Sequence, residues 1–226
     1  MTSPAEIEHL REQLNSLESA INRIPSPAPT PKTTLQIQGE ASSEDAWQNY
    51  LSYFIDPSSP HGLGSDALNL FLQSLSEWTE GIIPDHAPDD ITVVTEQQTE
   101  SGNQPDLIIH DSERFFICCE LKLYSSEGEN QTLRYANDES IGQHSKANFP
   151  EQGHHYVYLK RRGHPNATAD EFFNITWEQV KEWLTPLVLD DRGRYPTRTT
   201  AQLSDFLYTI QQDMTEDKHI RTERKN

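Results

Sequence analysis

The stretch from Pro105 to Lys122 restricts the folds open to this chain more than any other. Pro105-Asp106-Leu107-Ile108-Ile109-His110 and Phe115-Phe116-Ile117-Cys118-Cys119-Glu120-Leu121-Lys122 are apolar runs on either side of the polar Asp111-Ser112-Glu113-Arg114. Two short apolar runs around a polar turn predict a β-hairpin. A turn centred on Ser112-Glu113-Arg114 sets Asp106 across from Glu120, with Cα atoms about 4.5–5.5 Å apart. Lys122 follows two residues on and shares the face of Glu120. A turn of different length would shift this register by one.

Two carboxylates and an amine thus crowd one patch of an apolar hairpin. Like charges held together out of water need a neutralising partner. A salt bridge from Lys122 to Asp106 or Glu120 would serve. So would a divalent cation: Mg²⁺ accepts one or two carboxylates, keeps several waters and takes its other ligands from substrate phosphate. The lysine would then orient, or help deprotonate, the water that attacks phosphorus. Spacing alone leaves both possibilities open.

Around the hairpin the periodicities predict one α/β unit. Helices are expected at residues 44–55, with Trp47, Leu51, Phe54 and Ile55 on one face, and at 65–79, with Leu68, Phe71, Leu72 and Leu75. His61-Gly62-Leu63-Gly64 reads as a turn between them, with His61 a turn residue rather than a ligand. Strands are expected at 91–96, 105–110, 115–123 and 155–160, and further helices at 130–139, from 176 and at 200–214. Helices before, between and after a small sheet make a layered α/β fold.

The N-terminal residues read differently. Ser3-Pro4-Ala5-Glu6 is a capping box with proline in the first helical position. Ile7, Leu10, Leu14, Leu17, Ile21 and Ile24 then recur at spacings of 3, 4, 3, 4 and 3, the a/d seam of a coiled coil. The sequence so divides into a coiled-coil helix at 1–24, a Pro-rich linker at 25–39, an α/β domain at 40–215 and a charged tail at 216–226. A homodimer through residues 7–24 is the expected use of the seam; packing onto the chain's own domain is the alternative.

Bulk properties narrow the setting. No apolar run approaches the ~18 residues that cross a bilayer, and Met1–Glu6 lacks the basic and apolar regions of a signal peptide, so a cytoplasmic protein without a membrane segment is expected. The two cysteines, Cys118 and Cys119, are adjacent; on a strand they point to opposite faces and are expected to be reduced core residues. A net charge of −18 with only seven lysines suits a halophilic protein, because screening at high salt makes self-repulsion cheap. An ordinary acidic cytosolic protein fits the charge as well.

The pattern Pro105-Asp106, thirteen residues, Glu120-Leu121-Lys122 resembles the PD-(D/E)XK nuclease superfamily. Gln131-Thr132-Leu133-Arg134-Tyr135 resembles the QxxxY motif of its RecB-like branch, with Gln131 and Tyr135 on one helical face. Glu44, opening the first helix of the domain, is similarly placed to a glutamate of many members. The resemblance implies a restriction-endonuclease-like fold, a small mixed sheet flanked by helices, and a metal-dependent nuclease acting on phosphodiester bonds, most naturally in DNA, with Mg²⁺ or Mn²⁺. It implies Asp106 and Glu120 as metal ligands, Glu44 as an additional one, Lys122 as the catalytic lysine, and Gln131 and Tyr135 as groups fixing substrate or water. For Glu44, a helix-start acid that favours the helix dipole is the competing reading; Glu96, at a strand end, is a lesser candidate. A catalytically inactive relative that only binds nucleic acid or a protein is the alternative at the level of function.

Two loops reverse the sign of this acidic chain. Residues 154–166 hold His154, His155, Lys160, Arg161, Arg162 and His164 without an acid, and Arg192, Arg194 and Arg198 flank the second loop. Lysine and arginine at loop tips suit phosphate contacts, so Lys160, Arg161, Arg162, Arg192 and Arg194 are the candidate nucleic-acid-binding residues. No base-reading motif such as a zinc finger is present, and little sequence specificity is expected.

Overall fold

The computed structural model describes residues 11, 13–14, 30–81, 83–84, 91–111, 114–189 and 193–215. The chain divides into two compact units, residues 1–32 and 33–226. In the first, Arg11, Gln13 and Leu14 are helical; the rest of the expected coiled-coil seam lies outside the described residues.

The second unit opens with a short helix, α1 (Thr34–Gln38), inside the stretch read as linker from sequence. Thr33 and Gln36 form its capping box and Gly39 ends it with φ +82°. Leu35 is buried in the core, so five residues suffice to anchor a segment whose prolines mask any periodicity. Two longer helices follow, α2 (Glu44–Ile55) and α3 (Asp66–Trp78). Ser43 caps α2, accepting from the Ala46 N–H at 3.2 Å, and Trp47, Leu51, Phe54 and Ile55 form its buried stripe.

The sheet contains β1 (Thr92–Thr95), β2 (Leu107–His110), β3 (Phe116–Leu121), β6 (His154–Lys160) and β7 (Phe172–Thr176), in the order β1-β2-β3-β6-β7. The first three strands are antiparallel; β6 runs parallel to β3 and β7 parallel to β6. Leu107 pairs with Cys119 and Ile108 with Cys118, the register that sets Asp106 across from Glu120. Every residue of β2 and β3 is buried, which explains their unbroken apolar runs: both faces of the sheet are covered.

Between β3 and β6 lie α4 (Gln131–Asn137), the small hairpin β4 (Ser140–Ile141) and β5 (His144–Ser145), and two 3-10 turns. After β7 come α5 (Trp177–Val188) and α6 (Thr197–Thr215). One face of the sheet packs on α2, α3, α5 and α6 through the main core, where Trp47 meets Trp177 edge-on at 4.9 Å and Phe206 at 5.8 Å. The other face, carrying Ile108, Phe116 and Cys118, packs on a smaller cluster with Tyr135, Ile141 and Phe149. The pleat places Asp106 and Glu120 on this second face. Cys118 and Cys119 are free thiols, each buried. No helix among the described residues is long and apolar enough to cross a membrane.

Candidate active site

At the exit of β3 the sheet runs out of partners on one side. Lys122 still donates its backbone N–H to the Leu159 carbonyl of β6, at 2.8 Å. The flanking N–H groups of Leu121 and Leu123 end instead on carboxylates. Asp106 Oδ2 accepts the first at 2.6 Å and Glu44 Oε1 the second at 2.8 Å. Acidic side chains thus complete the ladder where β2 stops, which draws Asp106 and Glu44 to either flank of the Glu120-Leu121-Lys122 segment.

Glu120 has no exposed surface and Lys122 is 7% exposed. The Lys122 ammonium is ion-paired and hydrogen-bonded to Glu120 Oε1 and stands 3.7 Å from Glu44 Oε2. Glu120 Oε2 is buried without a hydrogen-bond partner among the described residues. Burial pushes the Asp106 carboxyl up to about 6 against the pull of the Leu121 N–H and Lys122, and the Glu44 charge adds to the push. Burial and then the neighbouring Asp106 push Glu120 up to about 8, against Lys122. For Lys122, burial alone would lower the pKa, but Glu120, Asp106 and Glu44 together raise it, so the side chain is an ammonium at neutral pH.

Among the described residues, no group of three or more His, Cys, Asp or Glu side chains is arranged to hold a metal ion. The Asp106–Glu120 pair nevertheless fits a hard divalent cation. A buried carboxylate oxygen without a partner is a costly arrangement that an ion removes, and Mg²⁺ asks for only one or two carboxylates.

Gln131 and Tyr135 lie one turn apart on α4. Gln131 Nε2 donates to Tyr135 Oη at 2.8 Å, and that hydroxyl donates to the Gln104 carbonyl at 2.9 Å, just ahead of Pro105-Asp106. Tyr135 is buried in the smaller core. Glu127, which the sequence did not single out, accepts from the N–H and hydroxyl of both Thr132 and Thr168, fixing the start of α4; no spacing signal marks it.

The candidate nucleic-acid contacts separate. Lys160, buried, ends β6 and Arg161 and Arg162 follow it, at the same end of the sheet as Glu120. Lys160 donates to the His164 carbonyl. The Arg161 guanidinium lies 4.7 Å over the Tyr124 ring and donates to the Asp213 carbonyl at 3.0 Å. Arg162 is exposed, 3.9 Å from Glu178. Arg194 pairs with Asp66 at 2.5 Å at the start of α3. Arg192 lies outside the described residues. Glu96 ends β1 in a left-handed conformation, φ +52°, its N–H on the Asp106 carbonyl at 3.2 Å, a backbone support for Asp106. His61 is buried, bridging the Asp56 carbonyl and the Leu63 N–H at 2.9 Å each, which accounts for it as a turn residue.

A mixed five-stranded sheet flanked by helices, with acidic residues and a lysine at the exit of its central strand, defines a restriction-endonuclease-like α/β protein. The profile of the PD-(D/E)XK nuclease superfamily matches residues 33–210, and the chain belongs to that superfamily. No curated protein matches the sequence.

Proposed function

We propose that this chain is a divalent-metal-dependent nuclease that hydrolyses phosphodiester bonds in DNA, with Asp106 and Glu120 as the carboxylates that hold Mg²⁺ or Mn²⁺. The observation that carries the reading is the fully buried Glu120 carboxylate set against Asp106, with the Lys122 ammonium adjacent. The ion, when bound, would supply Lewis acidity toward a phosphate oxygen and lower the pKa of water. Lys122, held as an ammonium by three acids, orients the attacking water and faces the charge that builds on phosphate, an electrostatic role rather than proton abstraction. Water oxygen bonds to phosphorus and releases a proton to solvent, the leaving P–O bond breaks, and the leaving oxygen takes up a proton from solvent. Tyr135 holds the Gln104 carbonyl and so the approach to Asp106. Lys160, Arg161 and Arg162 flank the same end of the sheet and are the proposed phosphate contacts there.

The test is incubation of the protein with plasmid, linear and single-stranded DNA and with RNA, in Mg²⁺, Mn²⁺ or EDTA, up to molar salt. Cutting of DNA that EDTA and Asp106→Ala or Lys122→Ala abolish is expected. A Lys122→Ala protein that cuts at the wild-type rate removes the assignment of the lysine. Cutting of RNA alone removes the substrate, and intact nucleic acid in every arm favours a binding-only relative.

A further inference from the structure

Glu44 uses its oxygens differently from Glu120. Its Oε1 accepts both the Leu123 N–H at 2.8 Å and the Ser125 hydroxyl at 2.7 Å, and its Oε2 faces the Lys122 ammonium at 3.7 Å. Nor is it spent on its own helix: the Ala46 N–H at the start of α2 is taken by Ser43. The helix that carries Glu44 is fixed by Trp47 and Leu51, each at most 1% exposed. A rigid element therefore presents this carboxylate to the segment that leaves β3, at the rung after the one Asp106 completes. Both of its oxygens have partners on residues 122–125, whereas Glu120 keeps a buried oxygen with none among the described residues.

From this contrast we infer that Glu44 is a positioning residue: it pins the strand exit through Leu123 and Ser125 and sets the Lys122 ammonium, and it is not a ligand of the cation. The inference takes its reaction from the nuclease reading above and its contacts from the geometry. The carboxylate stands between two neighbours in sequence of the catalytic lysine and the lysine itself. Losing it frees the Lys122 backbone on one side and removes one of the charges its side chain faces.

Glu44→Gln and Glu44→Ala separate the two parts of this role. Glutamine keeps an oxygen for Leu123 and Ser125 but loses the charge; alanine loses both. Three measurements on the full-length protein decide: Mn²⁺ affinity by calorimetry, exchange of the Leu123 amide by NMR, and cleavage split into kcat and KM. Mn²⁺ affinity is expected to fall by less than about tenfold in both variants, the effect of one nearby charge in a wet site. The kcat of Glu44→Ala is expected to fall by about 10²-fold with KM held, the cost of a misplaced catalytic group. Glu44→Gln recovers part of that loss, and the Leu123 amide exchanges faster in the alanine variant alone. A loss of Mn²⁺ affinity beyond about tenfold in Glu44→Gln makes Glu44 a ligand and overturns the inference. Wild-type kcat or unchanged Leu123 exchange in Glu44→Ala overturns it too. If Glu44→Ala does not fold, Ser125→Ala combined with Glu44→Gln takes its place in the metal-affinity and cleavage measurements, where a wild-type kcat overturns the inference. A wild-type protein that cuts nothing defeats the nuclease reading, while metal affinity and amide exchange still decide the place of Glu44.

Discussion

The Tyr135 hydroxyl donates to the Gln104 carbonyl, 2.9 Å away, tying α4 to the turn that delivers Asp106. The same oxygen receives the Gln131 side chain at 2.8 Å, so the two motif residues act in series on the backbone before the site. Tyr135→Phe removes both bonds and leaves the carbonyl of the exposed Gln104 to water. The expected cost is about 0.5–1.5 kcal/mol, read as a lower melting temperature. Cleavage is expected to fall by about tenfold or more through a displaced Asp106. A phenylalanine variant that melts and cuts like wild type would show that the relay holds nothing in place.

Metal should stabilise the fold. In the metal-free chain Asp106 and Glu120 crowd each other, and both carboxyls titrate above their ordinary values. An ion bound only by the native state stabilises it by mass action, about 2.7 kcal/mol at a hundred times Kd. The melting temperature is therefore expected to rise with Mg²⁺ in wild type and to stay unmoved in Asp106→Asn. A shift of equal size in both proteins would put the ion somewhere else.

The hairpin was legible in sequence because both strands are buried on both faces, which leaves apolar runs broken by little beyond the site residues and His110. Its register followed from turn length, and the helices carrying Trp47 and Phe71 from their stripes. Other parts left no such trace. α1 is five residues long, too short to show a period. β7, Phe172–Thr176, is half-buried in part and β4 and β5 have two residues each, so none of them reads as a strand. At the site, residue types suggested which acids matter but could not tell how each is used. That Glu44 reaches Leu123, 79 positions away, depends on a tertiary contact. So does the engagement of Lys160 and Arg161 with backbone carbonyls, hidden behind what reads as a free basic loop.

Acid should weaken the fold in two separable windows. His155 is buried, and burial with the charge of His154 lowers its pKa to about 4. The unfolded chain therefore binds the proton first, and stability falls as pH drops from about 6.5 toward 4. Asp138 follows at lower pH. Burial raises it, but hydrogen bonds from Thr99, Asn103, Ser101 and Ser140 outweigh that and hold it at about 2. Its contribution is present above the unfolded value of about 3.9 and lost as pH falls toward 2. Asp106 and Glu120 act with the opposite sign, since their folded pKa values are raised, so the quantity to read is wild type minus variant. His155→Phe is expected to flatten the upper window and Asp138→Asn the lower one in melting curves across pH. Parallel curves for wild type and either variant would remove that residue from the acid transition.

Dimerisation is the last expectation, and it rests on the 3-4 spacing from Ile7 to Ile24. Of that seam the structure describes Leu14, which is helical and 64% exposed. The alternating prolines between Pro25 and Lys32 favour an extended spacer by sequence, which would span roughly 25 Å at ~3.1 Å per residue. Two domains joined this way would see each other at about millimolar effective concentration, enough for two centres to act on the two strands of one duplex. Salt should strengthen the pairing, because Glu6, Glu8, Glu12 and Glu18 repel across it and screening relieves them. Light scattering in molar salt of the full chain and of a chain lacking residues 1–31 tests this; the deletion must stop there because Thr33 caps α1 and Leu35 belongs to the core. The full chain is expected to be a dimer and the shortened one a monomer. A monomeric full chain at micromolar concentration ends the pairing idea, and two dimers would move the contact into the α/β domain.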